Sequence, residues 1–377
     1  MLFPCSVCGS ANSHSSHATW DIDSFFKKVE TGVRVIGAVC EVVAAACDAG
    51  LAIAEAFETF ETEILNADAV DFCSQVTVKE LNSFIANKLQ PTEEFKREMA
   101  TIVDDLCEFL RRQMRPSQII KGGSLGKGTS VRGRCDMDLV MILNGVHDAE
   151  DLRRQLPAIK GQIKDTLGRY SGNITIVPDS LTDKRFHVKF SVESRLGEID
   201  VDLLPTFKYE DLHNHYRNLT NDEAENIAFY SVSLVERRVN FVKDRRPNVK
   251  NLIRLVKYWK KEMVRSDKRI PNSYLMELIT IHLWEKNGSC DVFNMLKAFH
   301  SVMKALENYS RLNVFWTTNY FESEIPYEVL CERPLVLDPS NPTNNVCSEF
   351  EWDDIQREAI KVLRSPMLED VSSTSWK

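Results

Sequence analysis

Ile120-Lys-Gly-Gly-Ser-Leu-Gly-Lys-Gly-Thr-Ser-Val-Arg-Gly-Arg-Cys-Asp-Met-Asp-Leu139 is the stretch that decides how the rest of the chain folds. Asp136 and Asp138 are two residues apart on a predicted strand, so both carboxylates point to one face. Like charges crowded on one face are costly unless a cation balances them. Twelve residues before Asp136, Gly123-Ser124 follows the apolar end of a strand and is placed to open a helix. Backbone N–H groups there, with the Ser124 hydroxyl, suit a polyphosphate. Lys121, Lys127, Arg132 and Arg134 add positive charge. The loop is not a Walker A motif. Counting from Gly122 puts Lys127 where that motif needs glycine, and counting from Gly123 gives Gly128 followed by Thr129 instead of lysine. A dinucleotide-binding turn does not require paired acids after it.

Working outward, a third acid is expected from a neighbouring strand. In Glu198-Ile-Asp-Val-Asp-Leu-Leu-Pro205, Asp200 and Asp202 share one face and Ile199, Val201 and Leu203 the other. Three carboxylates can hold two Mg²⁺ ions, one activating an attacking hydroxyl and one steadying a triphosphate and its leaving pyrophosphate. Either acid pair alone would read as a solvated strand face. Together with the glycine–serine loop they point to a nucleoside triphosphate, a divalent metal, and phosphoryl or nucleotidyl transfer.

The composition bounds this reading. The chain has 377 residues, 43% hydrophobic, with a net charge of -8, enough for one large core or two packed lobes. With 55 acids against 47 bases it has no basic coat over its whole surface, which leaves room for a local basic face. Cys5 and Cys8 form the one CxxC pair, so the cysteines read as free thiols and not as a zinc site. The start MLFPCSVCGS has no secretory pattern, and Leu2 stands where myristoylation needs glycine. Between Asp21 and Asn66 the pattern is helical. Arg34, Glu41, Asp48 and Glu55 recur every seven residues as one charged stripe, which favours packing on the protein or a second copy over a membrane span.

Helical spacing resumes at Thr77 and again after Pro91. Short β runs follow at Ser117–Lys121, Met137–Leu143, Arg185–Val192 and Glu198–Leu204, the last stopped by Pro205. Helices are predicted over Glu223–Arg238, Val249–Arg265, Tyr274–Glu285, Val292–Tyr309 and Asp353–Arg364. The expected architecture is α+β and bilobal: an N-terminal helical extension (1–76), a catalytic lobe with a small mixed sheet (77–212) and a helical lobe (213–377).

Further motifs narrow the reading: Leu252-Ile-Arg-Leu-Val-Lys-Tyr-Trp259, Ser273-Tyr274 with Glu277, and Arg333-Pro-Leu-Val-Leu-Asp-Pro-Ser-Asn-Pro-Thr-Asn-Asn345. With Lys121–Asp138 and Asp202 before Leu203-Leu-Pro205, residues 78–372 resemble the 2′-5′-oligoadenylate synthetases. These belong to the nucleotidyltransferase superfamily that also includes the cyclic GMP-AMP synthases. The resemblance implies a bilobal nucleotidyltransferase fold. It further implies an enzyme that polymerises ATP into 2′-5′-linked oligoadenylates, is activated by double-stranded RNA, and serves antiviral sensing in the cytoplasm. By the same resemblance Asp136, Asp138 and Asp202 are the catalytic, metal-holding acids. Gly123, Ser124 and Lys127 belong to the phosphate loop, Arg254 and Lys257 meet donor phosphates, and Tyr274 stacks on a donor base. Two features depart from the family: Ser273 replaces the glutamine usual beside that tyrosine, and residues 1–76 have no counterpart in a minimal family domain. A cyclic-dinucleotide synthase and a catalytically inactive RNA-binding protein are the competing readings.

Between Arg237 and Arg269 stand 13 Lys/Arg against 3 acids, and Lys250, Arg254, Lys257 and Lys261 form one helical stripe. Part of the stripe is expected to serve the triphosphate. Lys250 and Lys261, with Arg111, Arg112 and Arg115, are the candidate contacts to an RNA backbone. From Asp21 to Leu110, which takes in most of the extension, 18 acids face 7 bases, so this stretch should repel phosphates. Its expected roles are homo-oligomerisation or membrane contact, without stable membrane insertion.

Overall fold

Strand β2 (Asp136–Ile142) sets the centre of the sheet, because every residue after its exposed first aspartate is buried. A strand buried on both faces needs a continuous apolar run, which Met137–Ile142 supplies around Asp138. The computed structural model describes residues 71–377, apart from positions 134, 135, 196, 223, 349 and 373. The helix expected between Asp21 and Asn66, and with it most of the 1–76 extension, lies outside the described residues.

The other strands of this sheet are β1 (Gln118–Lys121), β3 (Thr175–Ile176), β4 (Thr182–Asp183), β5 (Val188–Ser194) and β6 (Gly197–Thr206). They run in the order β1-β2-β6-β5-β3, with β4 also on β5. β2 and β6 are parallel, while β1–β2 and β5–β6 are antiparallel. Ile199, Val201 and Leu203 of β6 are fully buried, as their alternation required. Contrary to expectation, β6 continues through Pro205 to Thr206. Its pairing with β5 ends at Leu203, so Pro205 has β2 as its one partner strand and its missing N–H is tolerated.

Two amphipathic helices belong to this lobe. Glu93–Met114 starts at Thr92, whose hydroxyl accepts from Phe95 N (3.1 Å), and buries Met99, Ile102, Val103, Leu106 and Leu110. Ala149–Leu167 was not expected from the sequence; it is capped by Asp148, carries Pro157 in its interior and lies between β2 and β6 in chain order, where a parallel pair requires a crossover. The helix expected over Glu223–Arg238 is two, Ala224–Ser233 and Val235–Lys243, separated at Leu234.

The second lobe packs Pro247–Met263, Ser273–Lys286, Met295–Glu307 and Asp353–Leu363 around Trp259, Phe299 and Leu278. Tyr274 to Ile281 are all buried, so Ser273–Lys286 is the central helix. Phe72 and Phe84 stack at 5.7 Å within the same cluster. A second small sheet, β7 (Asn313–Val314), β8 (Leu335–Asp338) and β9 (Asn341–Asn345), also went unforeseen. β9 reads Asn-Pro-Thr-Asn-Asn and has no apolar alternation to announce it.

Candidate active site

The register of β2 and β6 pairs Asp136 with Asp200 and Asp138 with Asp202. Directly opposed residues of paired strands face the same side, so Asp202 shares the face of Asp136 and Asp138, as expected. β5 treats the two β6 acids differently. Lys189 Nζ lies 2.7 Å from Asp200 Oδ2, and Ser191 Oγ donates to Asp200 Oδ1 at 2.8 Å. Asp202 and Asp138 are buried, and Asp202 Oδ1 makes no hydrogen bond. Burial first, then the neighbouring Asp202 and Asp136, push the Asp138 carboxyl well above the usual carboxylate range, against the pull of Lys127 and Lys257. Among the described residues no three carboxylate, imidazole or thiol groups are closed into a metal-holding set as they stand. The acids are gathered, and a cation would have to draw them together.

The glycine loop is pressed onto this face. Gly122 N donates to Asp138 O at 2.7 Å, and Gly123 has a left-handed φ of 52°. A Cβ on Gly123 would lie 1.5 Å from Asp138 Oδ2, so only glycine lets the loop rest on that carboxylate. Gly123–Lys127 forms the short helix expected there. Ser124 Oγ is 3.2 Å from Ser130 Oγ. Arg254 holds the end of the loop, donating from Nε to Ser130 O (2.9 Å) and from Nη2 to Gly128 O (2.6 Å). Lys250 Nζ donates to Lys243 O at 2.6 Å and lies close to Gly128, which puts this stripe residue at the loop.

Both lysines expected at phosphates converge on one buried carboxylate. Glu277 Oε2 is 2.9 Å from Lys127 Nζ, while Glu277 Oε1 is 3.5 Å from Lys257 Nζ and accepts from Thr129 Oγ1 at 2.7 Å. Burial would raise the Glu277 carboxyl, but Lys127 and Lys257 hold it below its ordinary value. Tyr274 is buried beside them, with Lys127 Nζ 4.4 Å and the Arg238 guanidinium 5.1 Å from its ring centroid. Its hydroxyl donates to Asp338 Oδ1 at 3.1 Å, an oxygen that also accepts from Ser340 N and Oγ. Arg238 Nε donates to Asp338 Oδ2 at 2.9 Å.

Arg111, Arg112 and Arg115 lie exposed at the C-terminal end of Glu93–Met114, and Lys261 is half-buried. Reading the sequence gave no role to Glu277, Thr129, Arg238, Asp338 or His187. Glu277 was visible as a lone acid in an apolar helix, four residues after Asn272-Ser273. The pairings of Thr129 with Glu277 and of Arg238 with Asp338 gave no signal, because the partners are 148 and 100 residues apart.

A face of carboxylates on adjacent strands, roofed by a glycine loop and backed by a helical lobe, is the arrangement of the nucleotidyltransferases, and this chain is an enzyme of that class. Residues 208–377 match the family model described as 2′-5′-oligoadenylate synthetase 1, domain 2, C-terminus. Over 314 residues the chain is 31% identical to 2′-5′-oligoadenylate synthase 1A of Mus musculus, covering 71% of this chain and 81% of that one. It is 28% identical to the longer 2′-5′-oligoadenylate synthase 3 of Mus musculus, of which it spans 28%. The chain belongs to the 2′-5′-oligoadenylate synthetase family. Its fold is like that of CdnC from E. coli MS115-1, solved with ATP (TM-score 0.52, 22% identity, 76% of this chain and 90% of that one). It is also like that of the Cid1 poly(U) polymerase bound to MgATP (TM-score 0.51, 14% identity, 79% and 95%). Among the described residues no helix is long and apolar enough to cross a membrane.

Proposed function

We propose that this chain joins ATP into 2′-5′-linked oligoadenylates with release of pyrophosphate, and that double-stranded RNA promotes the reaction in antiviral sensing in the cytoplasm. The observation that carries the chemistry is the contact of Gly123 with Asp138: anything held on the loop lies beside that carboxylate. Asp136, Asp138 and Asp202 fit a divalent cation, Mg²⁺ or Mn²⁺. They crowd negative charge on one face, and Asp202 Oδ1 is buried there without a hydrogen bond. When bound, the metal supplies positive charge to the triphosphate and to the departing pyrophosphate.

The chain's own groups do the rest. Gly123 and Ser124 hold the β- and γ-phosphates, and Arg254 fixes the loop that presents them. The Asp202 carboxylate assists deprotonation of the attacking ribose 2′-hydroxyl. Lys127 and Lys257 balance the charge that develops on the phosphates. Both rest on Glu277 in the described state, so an incoming triphosphate must compete with that carboxylate for them. As Lys127 leaves the Tyr274 ring, the ring gains a face for the donor base.

Arg111, Arg112, Arg115, Lys250 and Lys261 are the proposed phosphate contacts of a duplex read by shape and 2′-hydroxyls. Residues 1–76 are the proposed site of self-association, which light scattering with and without them would test. The deciding experiment incubates the chain with each nucleoside triphosphate and Mg²⁺, with and without duplex RNA. Product mass and nuclease sensitivity then report the linkage. A linear 2′-5′ adenylate series that requires the duplex and weakens with salt is the expected result. A cyclic product would overturn the oligoadenylate assignment, and turnover of a nucleotide other than ATP would overturn the adenine preference, to which Ser273 is the relevant departure. The absence of pyrophosphate release would leave an RNA-binding protein.

A further inference from the structure

His187 stands immediately before β5, and its side chain reaches the acid face at Asp202. Its ring is 3% exposed, and neither Nδ1 nor Nε2 makes a hydrogen bond. Nε2 lies 3.2 Å from Asp202 Oδ1, which is equally without a hydrogen bond. The buried imidazole of His215, by contrast, is satisfied: its Nε2 lies 2.9 Å from Tyr230 O. Asp200, one residue pair along β6, is satisfied as well, by Lys189 and Ser191. Of the acids and the imidazole on this side of the sheet, His187 and Asp202 thus face each other with hydrogen-bonding capacity left vacant. A nitrogen and an oxygen bound cis on one ion, each at ~2.1 Å, stand roughly 3 Å apart, close to the spacing seen here.

We infer that His187 Nε2 is a ligand, beside Asp202 Oδ1, to a divalent ion on the acid face, giving that position a nitrogen donor and a preference for a transition ion such as Mn²⁺ over Mg²⁺. Imidazole suits first-row transition ions, whereas Mg²⁺ keeps oxygen donors and water. This rests on the reading of Asp136, Asp138 and Asp202 as a cation site and adds to it a fourth protein group and a metal preference.

The test uses the full chain and Mn²⁺ alone. Pulsed electron paramagnetic resonance is recorded on protein made with ordinary and with ¹⁵N-labelled histidine, which needs no variant. The expected spectrum shows a nitrogen coupling on Mn²⁺ that changes with the label and disappears in His187→Gln. Titration of that variant should show Mn²⁺ binding weakened by about tenfold or more, and Mg²⁺ binding changed by less than about threefold. Bound Mn²⁺ without a histidine coupling, or with one that survives in His187→Gln, overturns the His187 assignment and leaves the acids in place. Mn²⁺ bound as tightly by Asp138→Asn and Asp202→Asn as by the native chain overturns the cation site itself, and failure of the native chain to bind Mn²⁺ overturns both.

Discussion

The small β8–β9 sheet and the β2–β6 pair bury carboxylates in opposite ways. On β8 and β9, Asp338 is fully buried and saturated: Arg238 occupies one oxygen, and Tyr274 with Ser340 the other. On β2 and β6, Asp138 and Asp202 are nearly as buried, yet Asp202 keeps an oxygen with no hydrogen bond and Asp138 is held far from its ordinary titration. A buried group that is satisfied maintains the fold, and one left wanting is poised for something that arrives later. The same contrast appears within β6 alone, between Asp200 with its lysine and serine and Asp202 with neither.

The sharpest way to break this contrast is Asp138→Asn. It should lower the rate of pyrophosphate release by about a thousandfold or more, as expected when charge that stabilises the transition state is lost. Thermal unfolding should stay the same or rise, because buried like charges are relieved. Near-native turnover would return Asp138 to the structural side of the comparison. Asp338→Asn should do the reverse, costing about 3–5 kcal/mol of stability in urea unfolding because Arg238 is left buried without its counter-charge. A loss below about 1 kcal/mol would show that the saturated network is not what holds this region.

Glu277 lies between the two regimes, since it is satisfied by groups to which the proposed reaction gives a role. Glu277→Gln should destabilise the nucleotide-free chain by about 2 kcal/mol, from Lys127 and Lys257 losing their partner. It should also enlarge the rise in melting temperature produced by ATP, because the lysines are no longer contested. An unchanged ATP-induced rise would separate Glu277 from substrate binding.

The smallest effect concerns a satisfied neutral group. Burial pushes His215 down to about 4, beneath the rings of Phe207, Tyr209 and Tyr230. Its folded value is below the unfolded one near 6.5, so the unfolded chain takes up the extra proton between them. The stabilisation is therefore complete above about pH 6.5 and lost as pH falls toward 4, about 2 kcal/mol of it between pH 7 and pH 5. His282, also pushed down to about 4 by burial and then by Lys286, acts in the same direction. Urea unfolding at both pH values should show a shallower dependence in His215→Gln than in the native chain. Identical slopes would remove His215 from the account.

Alternation and spacing carried the acid face, the loop helix and the main helices of the second lobe, because each is written in residues close together in the chain. The two-residue step from Asp136 to Asp138 fixes a shared face whatever the remainder does. The helix Ala149–Leu167 was missed because its charges and Pro157 blur the apolar stripe, and β9 because its residues are held by polar side chains: Asn345 Oδ1 accepts from Val336 N and Cys347 N, and Asn341 Oδ1 from Thr343. The Asn-Pro-Thr-Asn-Asn run that helped mark the family is thus also a buried polar scaffold.

By itself the sequence determined which groups could do chemistry here: paired acids at strand spacing, a glycine–serine loop ahead of them, and a basic helix after Pro247. Only the tertiary structure decided which acid was left bare, which lysines were tied to Glu277 and which imidazole was brought to Asp202. Periodicity acts over a few residues, whereas the satisfaction of a buried charge depends on partners that strand register and lobe packing bring from far along the chain.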